Sequence, residues 1–353
     1  AARNGQQLGN EEPSRPLSGV TGAEPAELDD EHFAATTRRH SIFARVSPEQ
    51  KLRIDEALQH ADRIVAMTCD GVNDAPALRQ AEIGVAMGIN GTEVSKEAAD
   101  MILADDNFAT ILSAVREGRE IFSDIRKFLR YLLASNAGEV LVMFVGVLAA
   151  ALIGLADATG ANELTVPLLA TQILWINLVT DSALALALGV DPAVEDVMED
   201  PPRGINDRIV DGSRVTTIAL IGATTAAVGL IALDLELPGG LLGGTGTIES
   251  ARTMVFTTVV LAQIFNAFNA RSDTVSAFVR PFDNRLLWAA AALTLLSQMA
   301  VVHLPPLQRA FDTQALDMTQ WLTCAGLASA VLWVDEVRKL AHRRRPRLAN
   351  PSC

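Results

Sequence analysis

From Tyr131 onward the chain is built from long apolar blocks, and no other feature narrows its possible folds as much. Six blocks stand out, at about 131–153, 167–190, 214–233, 252–270, 286–304 and 318–337. Each holds roughly 18–23 mostly apolar residues, enough for a helix to cross a ~30 Å hydrocarbon core. Residues 1–130 carry mixed charge and no long apolar run, which predicts a soluble head on a membrane domain of six transmembrane helices. Basic residues set the orientation. With the head inside, that side holds Arg126, Lys127 and Arg130, then Arg203, Arg208 and Arg214, then Arg271, Arg280 and Arg285. The tail adds "RKLAHRRRPR", while the opposite side keeps only Arg252 and Arg309. The asymmetry places both termini on the cytoplasmic side and reads the basic tail as a topology anchor.

A net charge of −13 argues against a nucleic-acid partner, which would need a basic surface. The three cysteines, Cys69, Cys324 and Cys353, are far apart and form neither a disulfide framework nor a zinc site. The stretch "AARNGQQLGNEEPSRP" lacks a signal-peptide pattern and a starting Met, so the chain reads as beginning inside a domain. The Gly-rich "LELPGGLLGGTGT" lacks the strand, helix and Lys of a phosphate loop and reads as a flexible outer loop. The acidic, Pro-rich "DPAVEDVMEDPPRG" fits either a dock for the head or a solvated connector.

Polar residues interrupt the apolar blocks. Asn136 and Glu139 lie three apart in the first span, on one helical face. In the second, Asn177, Thr180 and Asp181 stand at i, i+3 and i+4. A carboxylate inside a bilayer costs at least ~2.5 kcal/mol, so two on successive spans, each with amide or hydroxyl neighbours, read as one cation site. Five oxygen-bearing side chains suit a hard cation such as Ca²⁺. Gln263, followed by Asn266 and Asn269, forms a second stripe that fits helix packing or ion binding equally well.

In the head, "RIVAMT", "IGVAMG" and "MILADD" read as strands separated by helical stretches, an α/β doubly wound pattern. Ligands of such folds sit at the carboxyl ends of strands, where "DGVND" places Asp70, Asn73 and Asp74. Carboxylates there suit Mg²⁺ and phosphoryl chemistry; the alternative is a polar turn. Lys51 follows a short strand and a Pro-led helix start. It can contact a phosphate, or be a surface charge.

Together, "FARVSPEQK", "MTCDGVNDAPAL", "GTEVSKEAADMILADDNFATI", "EGREIFSDIRKFLRYLLASNAGEV" and "QILWINLVTD" resemble the P-type cation ATPases, most closely the calcium pumps of the sarcoplasmic-reticulum and secretory-pathway groups. The likeness is dense from about residue 28 to 210 and looser beyond. It implies that residues 1–125 are the C-terminal part of a phosphorylation domain of α/β haloacid-dehalogenase-like fold. Residues 126–340 would be the family's transmembrane helices five to ten, and 341–353 a basic cytoplasmic tail. It also implies that Asp70 holds Mg²⁺ and that Asn73 and Asp74 organise a phosphorylated aspartate and its attacking water. Lys51 would contact the transferred phosphoryl group. Asn136, Glu139, Asn177, Thr180 and Asp181 match the family's ion ligands, which favours Ca²⁺ over heavy metals bound through intramembrane cysteines. The implied function is ATP-driven export of Ca²⁺ by a multi-pass protein of the lipid bilayer. Ala-, Arg- and Asp-rich composition suits a bacterial plasma membrane.

Three departures qualify that reading. Cys69 stands where the motif has Gly, which predicts a strained turn and slowed phosphoryl transfer. Gln263 stands where two-ion pumps have Glu, so one ion per cycle is expected. "DKTGT", "TGES", a nucleotide-binding domain and the first four membrane helices do not occur in these 353 residues. The expectation is that the chain hydrolyses no ATP alone and works with an N-terminal half, from the same gene or a separate chain. The other readings are a non-catalytic cation-binding remnant, a subunit of a split pump, or a pump for Mn²⁺ or a monovalent cation.

Overall fold

A computed structural model describes residues 19–21, 30–40, 42–61, 63–153, 155, 166–192, 196–199, 208–237 and 239–344. The N-terminal stretch, much of the acidic inner loop with Arg203, and the tail past Arg344 lie outside the described residues. The described residues divide into two compact units, meeting in sequence between Val115 and Arg116.

The first unit is α/β. Strands β1 (Gly19–Thr21) and β2 (Ile42–Ala44) pair in parallel, with α1 (Asp30–Arg39) between them in sequence. Helix α2 (Pro48–Gln59) begins with a capping box: Ser47 Oγ accepts from Gln50 N–H, and the Gln50 side chain accepts from Ser47 N–H. Pro48 adds a pre-set φ in the first turn. A parallel sheet comes next, in the order β3 (Ala66–Cys69), β4 (Ile83–Met87), β5 (Met101–Leu103). Helices α3 (Ala75–Gln80) and α4 (Glu93–Ala98) connect the strands. Central β4 is the most buried of the three strands, and its Val85 and Met87 pack with Leu103 as the sheet core.

The second unit is helical. Helix α5 (Phe108–Leu148) carries the first apolar block, α6 (Ala170–Leu188) the second, α7 (Gly212–Glu236) the third, α8 (Ile248–Ala270) the fourth and α9 (Arg285–His303) the fifth. These five are long and apolar enough to cross a membrane. A short α10 (Pro305–Phe311) precedes α11 (Met318–Arg344), where the sixth block lies. Helix α11 has 27 residues, but charged residues from Asp335 onward shorten its apolar stretch, so it does not join the five. The bundle is arranged around α8, which is buried on nearly every side. Helices α5 and α7 meet at glycines. A Cβ on Gly138 would lie 2.9 Å from Thr225 Cβ, and one on Gly222 2.9 Å from Ala137 Cβ. Small residues let the two backbones close, which brings Glu139 into the interior.

Candidate functional site

Within the bundle, Glu139 of α5 is 4% exposed and Asp181 of α6 is 1% exposed. Asn177 Nδ2 donates to Glu139 Oε2 at 2.8 Å, and Gln263 Nε2 of α8 donates to Glu139 Oε1 at 2.8 Å. Thr180 has one hydroxyl proton and two acceptors within reach, Ile176 O at 2.7 Å and Gln263 Oε1 at 3.3 Å. Thus Glu139, Asn177, Thr180 and Gln263 form one buried cluster from three helices. Asp181 stands on a separate branch: Tyr131 O–H donates to its Oδ1 at 2.6 Å, and its Oδ2 is buried with no hydrogen-bond partner among the described residues. Asn136 does not join them. It is exposed, and its amide donates back to Leu132 O at 2.9 Å.

A π-turn over Ile176–Thr180 interrupts α6 between its Ala170–Trp175 and Asp181–Leu188 segments. The wider turn rotates the second segment about the helix axis relative to the first. Asn177 and Thr180 therefore meet Glu139 and Gln263 while Asp181 meets Tyr131, although a regular α-helix would put all three on one face.

Tyr131 is the one functional candidate that spacing did not single out. It is the chain's only tyrosine, and it precedes Glu139 by eight residues, so a helical projection already aligns the two. The second polar stripe serves helix contacts beyond Gln263. Asn266 Nδ2 reaches Ser135 Oγ at 3.3 Å, and Asn269 Nδ2 donates to Val331 O at 3.0 Å. Among the described residues no three His, Cys, Asp or Glu side chains group as a metal site. A cation here therefore needs the neutral amide and hydroxyl oxygens beside the two carboxylates. Hard cations accept that mixture.

In the α/β unit, Asp70 sits just past the end of β3 and is exposed, as is Asn73; neither side chain makes a hydrogen bond among the described residues. The carbonyl of Asp70 is held by Thr92 N–H at 3.1 Å and the Ser95 hydroxyl at 3.4 Å, which ties the strand end to the cap of α4. Asp74 Oδ2 pairs with Lys51 Nζ at 2.8 Å. Burial pulls the Lys51 ammonium down, but the hydrogen bond and charge of Asp74 outweigh it and leave its pKa raised. The capping box of α2 sets this contact, because it fixes the first turn on which Lys51 sits. A cleft of about 300 Å³ beside Asp70 is lined also by Thr68, Cys69, Met87, Asn90 and Asp106. Asp106, at φ +49°, clamps the far wall by accepting from Ile89 N–H and from both the backbone and the amide of Asn90. Those bonds hold its carboxyl below the usual range.

Cys69 does not strain the turn. It is the last residue of β3, paired with Ala86, and it has no left-handed φ. Its backbone is ordinary strand, which any residue adopts, so the expected strain is corrected. Its consequence is instead in the side chain: a buried thiol beside Asp74, pushed up to about 11 by burial and by the Asp74 charge.

A profile of the family described as "Cation transporting ATPase, C-terminus" matches residues 165–341. The chain is 44% identical to a calcium-transporting ATPase of Bacillus subtilis over 86% of its own length and 32% of that protein's. It is 41% identical to calcium-transporting ATPase 1 of Schizosaccharomyces pombe over 92% of this chain and 34% of the relative. It is 39% identical to calcium-transporting ATPase type 2C member 2 of Rattus norvegicus over 93% and 33%. The chain thus spans about a third of the length of the curated relatives it matches.

Proposed function

The chain belongs to the P-type cation-transporting ATPases and is an integral, multi-pass membrane protein, and on that premise we propose that it supplies the intramembrane ion site of a calcium pump together with the Mg²⁺-holding end of its phosphorylation domain. One observation carries the reading. A carboxylate, two amides and a hydroxyl from three helices converge in the bundle interior, with a second carboxylate, Asp181, left with an unpartnered oxygen. An apolar bundle gains nothing from such a cluster, whereas a hard cation entering it satisfies every oxygen. The ligands in this reading are Glu139, Asn177, Thr180, Asp181 and Gln263. Asn136, exposed on α5, joins only by turning its amide oxygen toward the cluster.

The α/β unit is proposed to be the haloacid-dehalogenase-like part of the phosphorylation domain. Asp70, whose carboxylate faces solvent and makes no hydrogen bond among the described residues, suits Mg²⁺, which keeps several waters and takes one or two carboxylates. Bound there, Mg²⁺ supplies charge neutralisation for a phosphoryl group delivered from ATP. Asp74 pairs with Lys51 and orients that ammonium toward the same strand end, while Asn73 is free to position a water. The aspartate that accepts phosphate and the nucleotide site are assigned to sequence outside these 353 residues, so the chain alone binds cation without turnover.

Titration of Ca²⁺ into the 353-residue chain in lipid nanodiscs tests this. Glu139→Gln and Asp181→Asn are each expected to weaken binding by at least about tenfold, the effect of losing a carboxylate ligand. Binding that survives both substitutions overturns the ion-site reading.

A further inference from the structure

Near its C-terminal end α11 presents an open face whose side chains change character in order. Trp333, Val337 and Leu340 are 56%, 66% and 47% exposed, and they repeat at i, i+4 and i+7. Phe278, from the loop between α8 and α9, extends the strip against Trp333 at 5.9 Å between ring centroids. Beyond Leu340 the strip ends at Arg343, which is exposed and makes no ion pair among the described residues. A cleft of about 270 Å³ opens there, lined by Ser276, Glu336, Val337, Leu340 and Arg343. Its floor is built rather than loose: Ala277 N–H donates to Glu336 Oε1 at 2.7 Å, and Arg338 reaches Asp273 O at 3.2 Å.

We propose that this cleft is a phospholipid site, with Arg343 taking the phosphodiester and one acyl chain lying along Leu340, Val337 and Trp333. Position supports a lipid over a peptide. The strip starts at Trp333, inside the sixth apolar block, and ends at Arg343, just past that block in the basic run that begins at Arg338, where headgroups lie. Charge and aromatic placement agree. Trp288, in the first turn of α9, donates from Nε1 to Pro281 O at 2.7 Å and stacks on Phe282 of the preceding loop, which places an amphipathic aromatic close to Arg280 and Arg285 in sequence, as at a membrane interface. Each arginine at an anionic surface attracts it by ~1 kcal/mol. The site is independent of the cation cluster and of any transport role.

The test is native mass spectrometry of the detergent-purified 353-residue chain titrated with phosphatidylglycerol. One tightly held lipid is expected, retained on the order of tenfold less by Arg343→Glu, the scale of one lost charge contact. Arg309→Glu, the same charge change on α10, is expected to retain it fully. Val337→Trp, which fills the cleft with the arginine intact, is expected to displace it. Circular dichroism confirms that the variants keep their helices. Equal retention by Arg343→Glu and the parent chain overturns the proposal. So does equal loss in both arginine variants, which would mean net charge alone, and so does displacement by inorganic phosphate at lipid concentrations.

Discussion

Single side chains decide more in the α/β unit than the motif suggests. Cys69 sits in a regular strand, so its effect is chemical. A thiol held near 11, against ~8.5 for a free one, offers on the order of a hundredfold less thiolate at pH 8. Alkylation of the folded chain with iodoacetamide at pH 8, read by peptide mass spectrometry, is expected to label Cys69 that much more slowly than the unfolded chain. Equal rates would place the thiol in water. Lys51 gives the pH-dependent case. Its folded pKa is raised above the usual 10.5, so the pair with Asp74 contributes fully below pH 10.5 and is lost as pH rises through the folded value. Because the pair is only part-buried, Lys51→Met should cost under about 1 kcal/mol. The difference in urea midpoint between parent and variant, read by pulse proteolysis of the α/β unit, should be present at pH 8 and shrink as pH rises past 10.5 through the raised folded pKa. A difference that persists unchanged at high pH would assign the effect to packing.

At the scale of elements, legibility in the sequence tracks the strength of local signals. Parallel strands β3, β4 and β5 are legible because short apolar runs end in Gly- and Asp-rich turns, and α2 because Ser47, Pro48 and Gln50 spell out a cap. The pairing of Lys51 with Asp74 was not legible, since it joins residues 23 apart through a tertiary contact. The π-turn of α6 was not legible either, because nothing in "WINLVTD" distinguishes a five-residue turn from a four-residue one until α8 packs against it. That turn has a consequence for binding. Inserting an Ala after Leu178, an exposed residue inside it, adds a second residue step beyond the one the turn already absorbs and should swing Asp181 ~100° about the axis relative to Asn177. Helical content by circular dichroism should be kept while Ca²⁺ binding in nanodiscs falls by at least about tenfold. Retained affinity would show that the ligand geometry does not depend on the turn.

Across the whole molecule, the sequence reads as six spans, while five helices among the described residues are long and apolar enough to cross a membrane, and the sixth block falls short for a physical reason. Asp335 reads in sequence as the polar end of a span, yet its side chain is fully buried. The groups that make this tolerable come from far away in the chain. Arg130 of α5 donates to Asp335 at 2.8 Å and to Asp273 at 2.8 Å, with Arg338 at 2.7 Å and Lys339 at 3.3 Å completing the Asp335 set. Burial pushes the Asp273 carboxyl up, but Arg130, Arg214 and Arg338 together hold it below its usual range. One arginine thus ties α5 to α11 and to the loop between α8 and α9, one residue before the tyrosine that holds Asp181. A half-broken buried pair leaves an uncompensated charge, typically worth ~3–5 kcal/mol. Since Asp335 keeps Arg338 and Lys339, Arg130→Met should fall at the lower end, about 3 kcal/mol, or roughly 6–12 °C in midpoint for a unit of this size. All four tryptophans, Trp175, Trp288, Trp321 and Trp333, lie in the helical unit. Their fluorescence in a detergent melt therefore reports that unit alone, while pulse proteolysis follows the α/β one, where no change is expected because Asp273 and Asp335 both belong to the helical unit. A tryptophan midpoint that moves by less than about 2 °C would mean that the remaining cations already neutralise both aspartates. The arginine would then serve the position of α5 rather than the stability of the bundle.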